Sequence, residues 1–131
     1  ILHLRLNEPE LGLLVFRTQG DPELVLSHEA VLVSNADHWL ANEVLKYWKR
    51  VLKRIDVTSR SLVALVEHGS CFAGVLAELL FSVDRSYMME DEFEGDNRPL
   101  ATLTLSDANF GIFLFAFFLR SSIEGYFKLN A

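Results

Sequence analysis

Leu62-Val63-Ala64-Leu65-Val66-Glu67-His68-Gly69-Ser70-Cys71-Phe72-Ala73-Gly74-Val75-Leu76-Ala77-Glu78 decides the fold class. Its first five residues are continuously apolar, as in a strand buried on both faces. The turn from Gly69 to Gly74 then feeds a helix, because Leu76, Leu79, Leu80 and Val83 recur on one helical face. Strand, glycine turn, helix is therefore the local unit. Working towards the N-terminus, Leu11 to Phe16 is another apolar run, closed by Gly20-Asp21-Pro22. Ala30 to Val33 reads as a further strand, and Ser34 to Asp37 as a polar turn supplying a helix N-cap at Asn35 or Asp37. From Leu40 to Ile55, the positions Leu40, Val44, Tyr47, Trp48, Val51, Leu52 and Ile55 keep helical spacing and predict an amphipathic helix. Towards the C-terminus, Ser86 to Met89 is extended, Glu90 to Asp96 is an acidic loop, and Leu100 to Leu105 alternates as a strand. Ser106-Asp107 is placed to cap a last helix. Strands alternating with helices give an α/β domain with mainly parallel pairing, residues 1–131 forming one unit.

Composition narrows the function classes. With 131 residues, half of them hydrophobic, the chain can bury one core. A net charge of -6 argues against a nucleic-acid surface. Lys46, Lys49, Arg50, Lys53 and Arg54 form a local basic face on the predicted helix. Cations near a helix C-terminus are favoured by the macrodipole, which explains the cluster as a solvated face; the alternative is contact with the phosphates of a nucleotide-bearing ligand. Cys71 is the sole cysteine, which excludes an internal disulfide and points to a reducing, cytoplasmic setting. Phe110 to Leu119, the most apolar stretch, is about half of the roughly 20 residues needed to span a bilayer, so it reads as core and no membrane partner is expected. The abrupt apolar ends read as an excerpt of something longer, or half of an intimate assembly.

Chemistry is expected where strands hand over to helices. A glycine at such a junction lets backbone N–H groups approach a ligand beside the positive end of a helix dipole, where they can hold an oxyanion. Most such glycines simply permit the turn. Gly69-Ser70-Cys71-Phe72-Ala73 lacks the second glycine of a serine-nucleophile elbow. Cys71 near His68 does not by itself make a thiolate–imidazole pair, and His3, His28, His38 and His68 have no zinc-ligand spacing, so no metal site is expected. Three carboxylates fall near strand ends: Glu67, Glu78 and Asp107. Each alone would ordinarily be a cap or surface charge; two converging on one ligand would permit acid and base work on a water.

Several blocks in order carry a family resemblance. Ala36-Asp37 before a helix, and Gly69 through Glu78 followed by Asp84, are similar to the two oxyanion elements of the crotonase superfamily. Arg5-Leu6-Asn7-Glu8-Pro9-Glu10-Leu11-Gly12, Asp37-His38-Trp39, Ser59-Arg60-Ser61-Leu62, Gly69-Ser70-Cys71-Phe72-Ala73-Gly74, Asp84-Arg85-Ser86-Tyr87-Met88 and Phe93-Glu94-Gly95-Asp96 resemble the benzoyl-CoA-dihydrodiol lyase branch, over most of the chain from Arg5 to Gly111. The resemblance implies part of a crotonase-like domain, a superhelix of repeated β-β-α units. It implies an acyl-CoA lyase that opens 2,3-epoxybenzoyl-CoA or its dihydrodiol with water, giving an aliphatic semialdehyde-CoA and formate. It assigns thioester binding to the amides of Ala36 and Gly74, with Asp37 in the same turn. Phe72-Ala73-Gly74 replaces the usual triple glycine, so Ala73, Gly74 or Val75 can supply the second amide. Acid/base and water-positioning roles go to Glu78 and Asp107, and a third to Glu67. The resemblance also implies a homo-oligomer and no cofactor, the CoA thioester being substrate. A hydratase or isomerase of the same superfamily, and a silent crotonase-like interaction subunit, are the rival readings.

Overall fold

The computed structural model describes residues 1–89 and 100–112. The acidic loop expected from Glu90 and the apolar run beyond Ile112 lie outside these residues. A short helix α1 (Leu2–Asn7) leads to strand β1 (Leu13–Arg17), then helices α2 (Pro22–Ser34) and α3 (Trp39–Asp56) return the chain to β2 (Ser61–Val66). A 3-10 turn (Gly74–Leu76) and helix α4 (Glu78–Ser82) connect β2 to β3 (Arg85–Met88), and α5 (Asp107–Gly111) closes the described chain. The three strands form one sheet in the order β1-β2-β3, both pairings parallel, as the alternation of apolar runs and helices requires.

The register of β2 is pinned by Asp84. Its carboxylate accepts from the Leu62 N–H at 2.8 Å, while its own N–H donates to the Leu62 carbonyl at 3.0 Å. The end of α4 is thereby tied to the start of the central strand. Burial is uneven across the sheet. β2 alternates, with Leu62, Ala64 and Val66 buried, but Leu13 and Val15 of β1 are about half exposed, so the outer strand is not covered on both faces as its sequence suggests.

Two apolar clusters sit on either side of α4. Ala64, Val66, Phe72, Leu80 and Ala101 join it to the sheet; Leu45, Leu52, Val75 and Ala108 join it to the helices. Leu79 packs against both clusters. This layering holds the Gly74 turn in the middle of the fold.

Three local expectations are corrected. Ala30 to Val33 is the last part of α2, not a strand: Pro22 stands in the first turn, Asp21 caps it by accepting the Glu23 N–H at 2.9 Å, and the helix runs on unbroken to Ser34. The cap of α3 is His38, whose Nδ1 accepts from the Leu40 N–H at 3.3 Å, in place of Asn35 or Asp37. Leu100 to Leu105 is not a strand; it makes one parallel bridge, between Thr104 and Ala73. The inward stripe of α3 is also rotated from the one expected. Ala41, Leu45, Leu52 and Ile55 are buried with Trp48 beside them, whereas Leu40 is 52% and Tyr47 59% exposed. Of its cations, Lys46, Lys49, Arg50 and Lys53 are exposed and Arg54 is half-buried; Lys46 and Arg50 lie 3.5 and 3.9 Å from Glu43, and Lys53 lies 2.8 Å from Asp56. Among the described residues no helix is long and apolar enough to cross a membrane.

The rotated stripe has a measurable consequence. Leu52→Ala should lower the unfolding free energy by about 2–5 kcal/mol, as for a buried leucine, and Leu40→Ala by no more than about 0.5 kcal/mol. Urea unfolding of the two variants checks this, and equal losses would place the stripe wrongly.

Candidate active site

Glu29 projects from the inward face of α2, in phase with the half-buried Val25, Leu32 and Val33. Only 5% of it is exposed, and a carboxylate removed from water must find donors. It finds two. The Val75 N–H donates to Oε2 at 2.5 Å, and the Ser106 hydroxyl donates to Oε1. The carboxylate rests directly over Gly74: a Cβ there would lie 2.8 Å from the Glu29 carboxyl carbon. Gly74 also has φ +49°, a conformation that side-chain-bearing residues rarely adopt. Glycine at this position thus follows from both the backbone and its neighbour.

Glu78 opens α4 in the same region and is fully buried. Its Oε1 accepts from Asn109 Nδ2 at 2.6 Å, and Oε2 has no hydrogen-bond partner among the described residues. Burial raises its pKa above the ordinary glutamate value, the Asn109 hydrogen bond works against that rise, and the charge of Glu29 adds to it. Asn109 is the hub of the cluster. Its amide nitrogen also donates to the Gly74 carbonyl at 2.9 Å, and its Oδ1 accepts from the Ser106 N–H at 2.9 Å in the capping box of α5. Four elements therefore meet at two carboxyl groups, one bound by an amide and a hydroxyl, the other suited to hold its proton. Beside them lies a cleft of about 230 Å³ whose walls include Val25, Leu32, Leu45, Trp48 and Leu76 together with Glu29 and Val75.

The residues singled out from sequence fall in two places. Ala36, in the turn between α2 and α3, packs against the cluster that contains Val75, but its N–H donates to the Val33 carbonyl at 3.2 Å. Asp37 is exposed in that turn. The Ala73 N–H donates to the Cys71 carbonyl at 2.9 Å and the Gly74 N–H to the Thr104 carbonyl at 3.0 Å. Among the amides of 73 to 75, Val75's is the one given to a side chain. Asp107 is exposed in the first turn of α5, and the side chain from that helix that meets Glu78 is Asn109. Glu67 lies elsewhere. At the carboxyl end of β2 it accepts from Arg17 Nε at 2.8 Å and Nη2 at 2.5 Å, because parallel pairing brings the end of β1 alongside. Both line a separate cleft of about 530 Å³ with Thr18, Gln19, His68 and Met89.

Glu29 and Asn109 escaped sequence reading. The signal for Glu29 is a glutamate in phase with Val25, Leu32 and Val33, which shows only when Ala30 to Val33 is helical.

No protein-family model matches the chain. Over 113 residues, 86% of its length, it is 47% identical to a benzoyl-CoA-dihydrodiol lyase of Aromatoleum evansii. This match supports the benzoyl-CoA-dihydrodiol lyase family for the chain. The chain spans 20% of that relative's length.

The raised pKa of Glu78 sets the sign of a pH effect. As pH rises through the ordinary glutamate range the unfolded chain releases this proton while the folded chain keeps it. The folded state then binds more protons, so stability falls with rising pH until the folded carboxyl itself ionises. Glu78→Gln should remove that fall, leaving a flatter unfolding free energy across the same window. Urea titrations at a series of pH values check it, and an unchanged slope would contradict the assignment.

Proposed function

We propose that this chain contributes the acid/base half of an acyl-CoA ring-cleaving site. In this reading the complete protein opens 2,3-epoxybenzoyl-CoA, or its dihydrodiol, with water, giving an aliphatic semialdehyde-CoA and formate. The observation that carries it is a buried carboxyl suited to hold a proton, Glu78, beside a backbone amide already donating to an anionic oxygen, in a chain 47% identical to a named benzoyl-CoA-dihydrodiol lyase.

The thioester oxygen takes over the Val75 amide from Glu29, with the Ala36 turn on the other side. An amide aimed at a developing oxyanion in a water-poor site lowers the cost of charge on the acyl group. Glu78, oriented by Asn109, gives or takes the proton at the ring-derived carbons and oxygen, and a carboxyl whose pKa burial raises suits that work. Asp107 positions water at the mouth of the site. Glu67, with Arg17, serves the second cleft. The domain is part of a crotonase-like superhelix of repeated β-β-α units, cytoplasmic and homo-oligomeric, with the CoA thioester as substrate and no resident cofactor.

Incubating the full-length gene product with 2,3-epoxybenzoyl-CoA and, separately, with crotonyl-CoA tests the proposal. Formate from the first is expected; hydration of crotonyl-CoA alone would assign a hydratase instead. In the same assay Glu78→Gln should lower kcat by about 10²–10⁴-fold, the usual contribution of a positioned acid or base. Retention of full turnover would remove Glu78 from the chemistry and favour a non-catalytic subunit.

A further inference from the structure

Glu29 has no role in the acid/base step as proposed, yet it is the better anchored of the two buried carboxyl groups. Its oxygens are held by the Val75 amide and the Ser106 hydroxyl, its carboxyl carbon sits over Gly74, and it comes from a different helix than Glu78. The two groups are linked through shared partners. Ser106 bonds both Glu29 and Asn109, and Asn109 bonds both Gly74 and Glu78. α3 turns Ala41, Leu45, Trp48, Leu52 and Ile55 inward, keeps Lys46, Lys49, Arg50 and Lys53 exposed and leaves Arg54 half-buried near its C-terminus. α5 offers the neutral Asn109, its Asp107 being exposed, and His28 on α2, though exposed, lines the same cleft as Glu29.

We propose that Glu29 is a positioning residue for Glu78: seated over Gly74, and still held there by Ser106 when the thioester takes the Val75 amide, it disfavours a second charge beside it and so leaves the Glu78 carboxyl ready to act as an acid. Burial is the larger cause of the raised Glu78 pKa and Glu29 adds to it; like charges confined to a water-poor site cannot both form cheaply, and Glu29 has two donors where Glu78 has an unpartnered oxygen. The seat is specific: a glycine without a side chain, an amide and a hydroxyl together fix where the charge lies. The kinetic consequence rests on the lyase reading; the protonation itself does not.

Infrared spectroscopy of the full-length protein reads that protonation without substrate. The wild type should show a protonated-carboxyl stretch at pH values where ordinary glutamates are ionised, and Glu78→Gln should abolish it. In Glu29→Gln, which keeps an oxygen for the Val75 amide but removes the charge, the band should vanish at lower pH than in the wild type. Glu29→Asp, still charged, should restore part of the difference. If the lyase reading also holds, the alkaline limb of kcat/KM for 2,3-epoxybenzoyl-CoA moves to lower pH in Glu29→Gln by the same shift. There kcat falls about ten- to a hundredfold at neutral pH, as when outer groups that orient a reacting centre are removed, with KM within about twofold. A wild-type protein without the band overturns the proposal before any variant is needed. So does a band that titrates identically in Glu29→Gln and wild type, or that shifts equally in Glu29→Gln and Glu29→Asp, since the charge would then be irrelevant. Absence of formate release together with the shifted band would defeat the lyase reading and leave the role of Glu29 standing.

Discussion

The carboxylate of Glu29 over Gly74 is the contact on which the arrangement of this site depends. It draws α2, the Gly74 turn and the start of α5 to one point, through an amide and a hydroxyl that have no cheaper acceptor in an apolar surrounding. Once those elements meet, Asn109 is within reach of both the Gly74 carbonyl and Glu78. Removing the charge-bearing group would leave a buried amide and hydroxyl to find new partners, a cost of the order of 1–3 kcal/mol for each. The apolar clusters above and below α4 supply the cohesion; the polar network decides where the carboxyl groups lie.

The same constraint separates two regions that the sequence alone brought together. Carboxyl ends of parallel strands are the usual place for ligands in α/β sheets, and Glu67 does lie there. Yet it is paired with Arg17 in an exposed ion pair, a kind of contact that adds little to stability. Glu78 lies deeper, where desolvation rather than an opposite charge governs its behaviour. Glu29 and the Arg17–Glu67 pair thus line different clefts.

Much of the framework was legible from residue pattern, and the reasons are physical. Leu62 to Val66 and Leu11 to Phe16 gave β2 and β1, because short apolar runs between turn residues have few other solutions, and the long periodic segment gave α3. The period fixed the helix but not its phase. Leu40 and Tyr47 fit an apolar stripe as well as Ala41 and Leu45 do, and packing against the Gly74 turn chose the latter. α2 is obscured because Ala30-Val31-Leu32-Val33 is apolar with two β-branched valines, although a capping aspartate and Pro22 already start a helix. Leu100 to Leu105 alternates like a strand but finds only one bridging partner at Ala73. Glu78 stood out at its strand-to-helix junction and through family likeness. Glu29 and Asn109 did not, because nothing in a linear sequence marks which polar residue of a helix will face another element's amide.

The most direct test of the account is a crystal structure of the full-length protein with a non-cleavable benzoyl-CoA analogue. The account predicts the thioester oxygen within hydrogen-bond distance of the Val75 amide, with the ring beside the Glu78 carboxyl and Asn109 still bonded to it. A thioester seated instead between Arg17 and Glu67, with Glu29 unmoved from Val75, would contradict it.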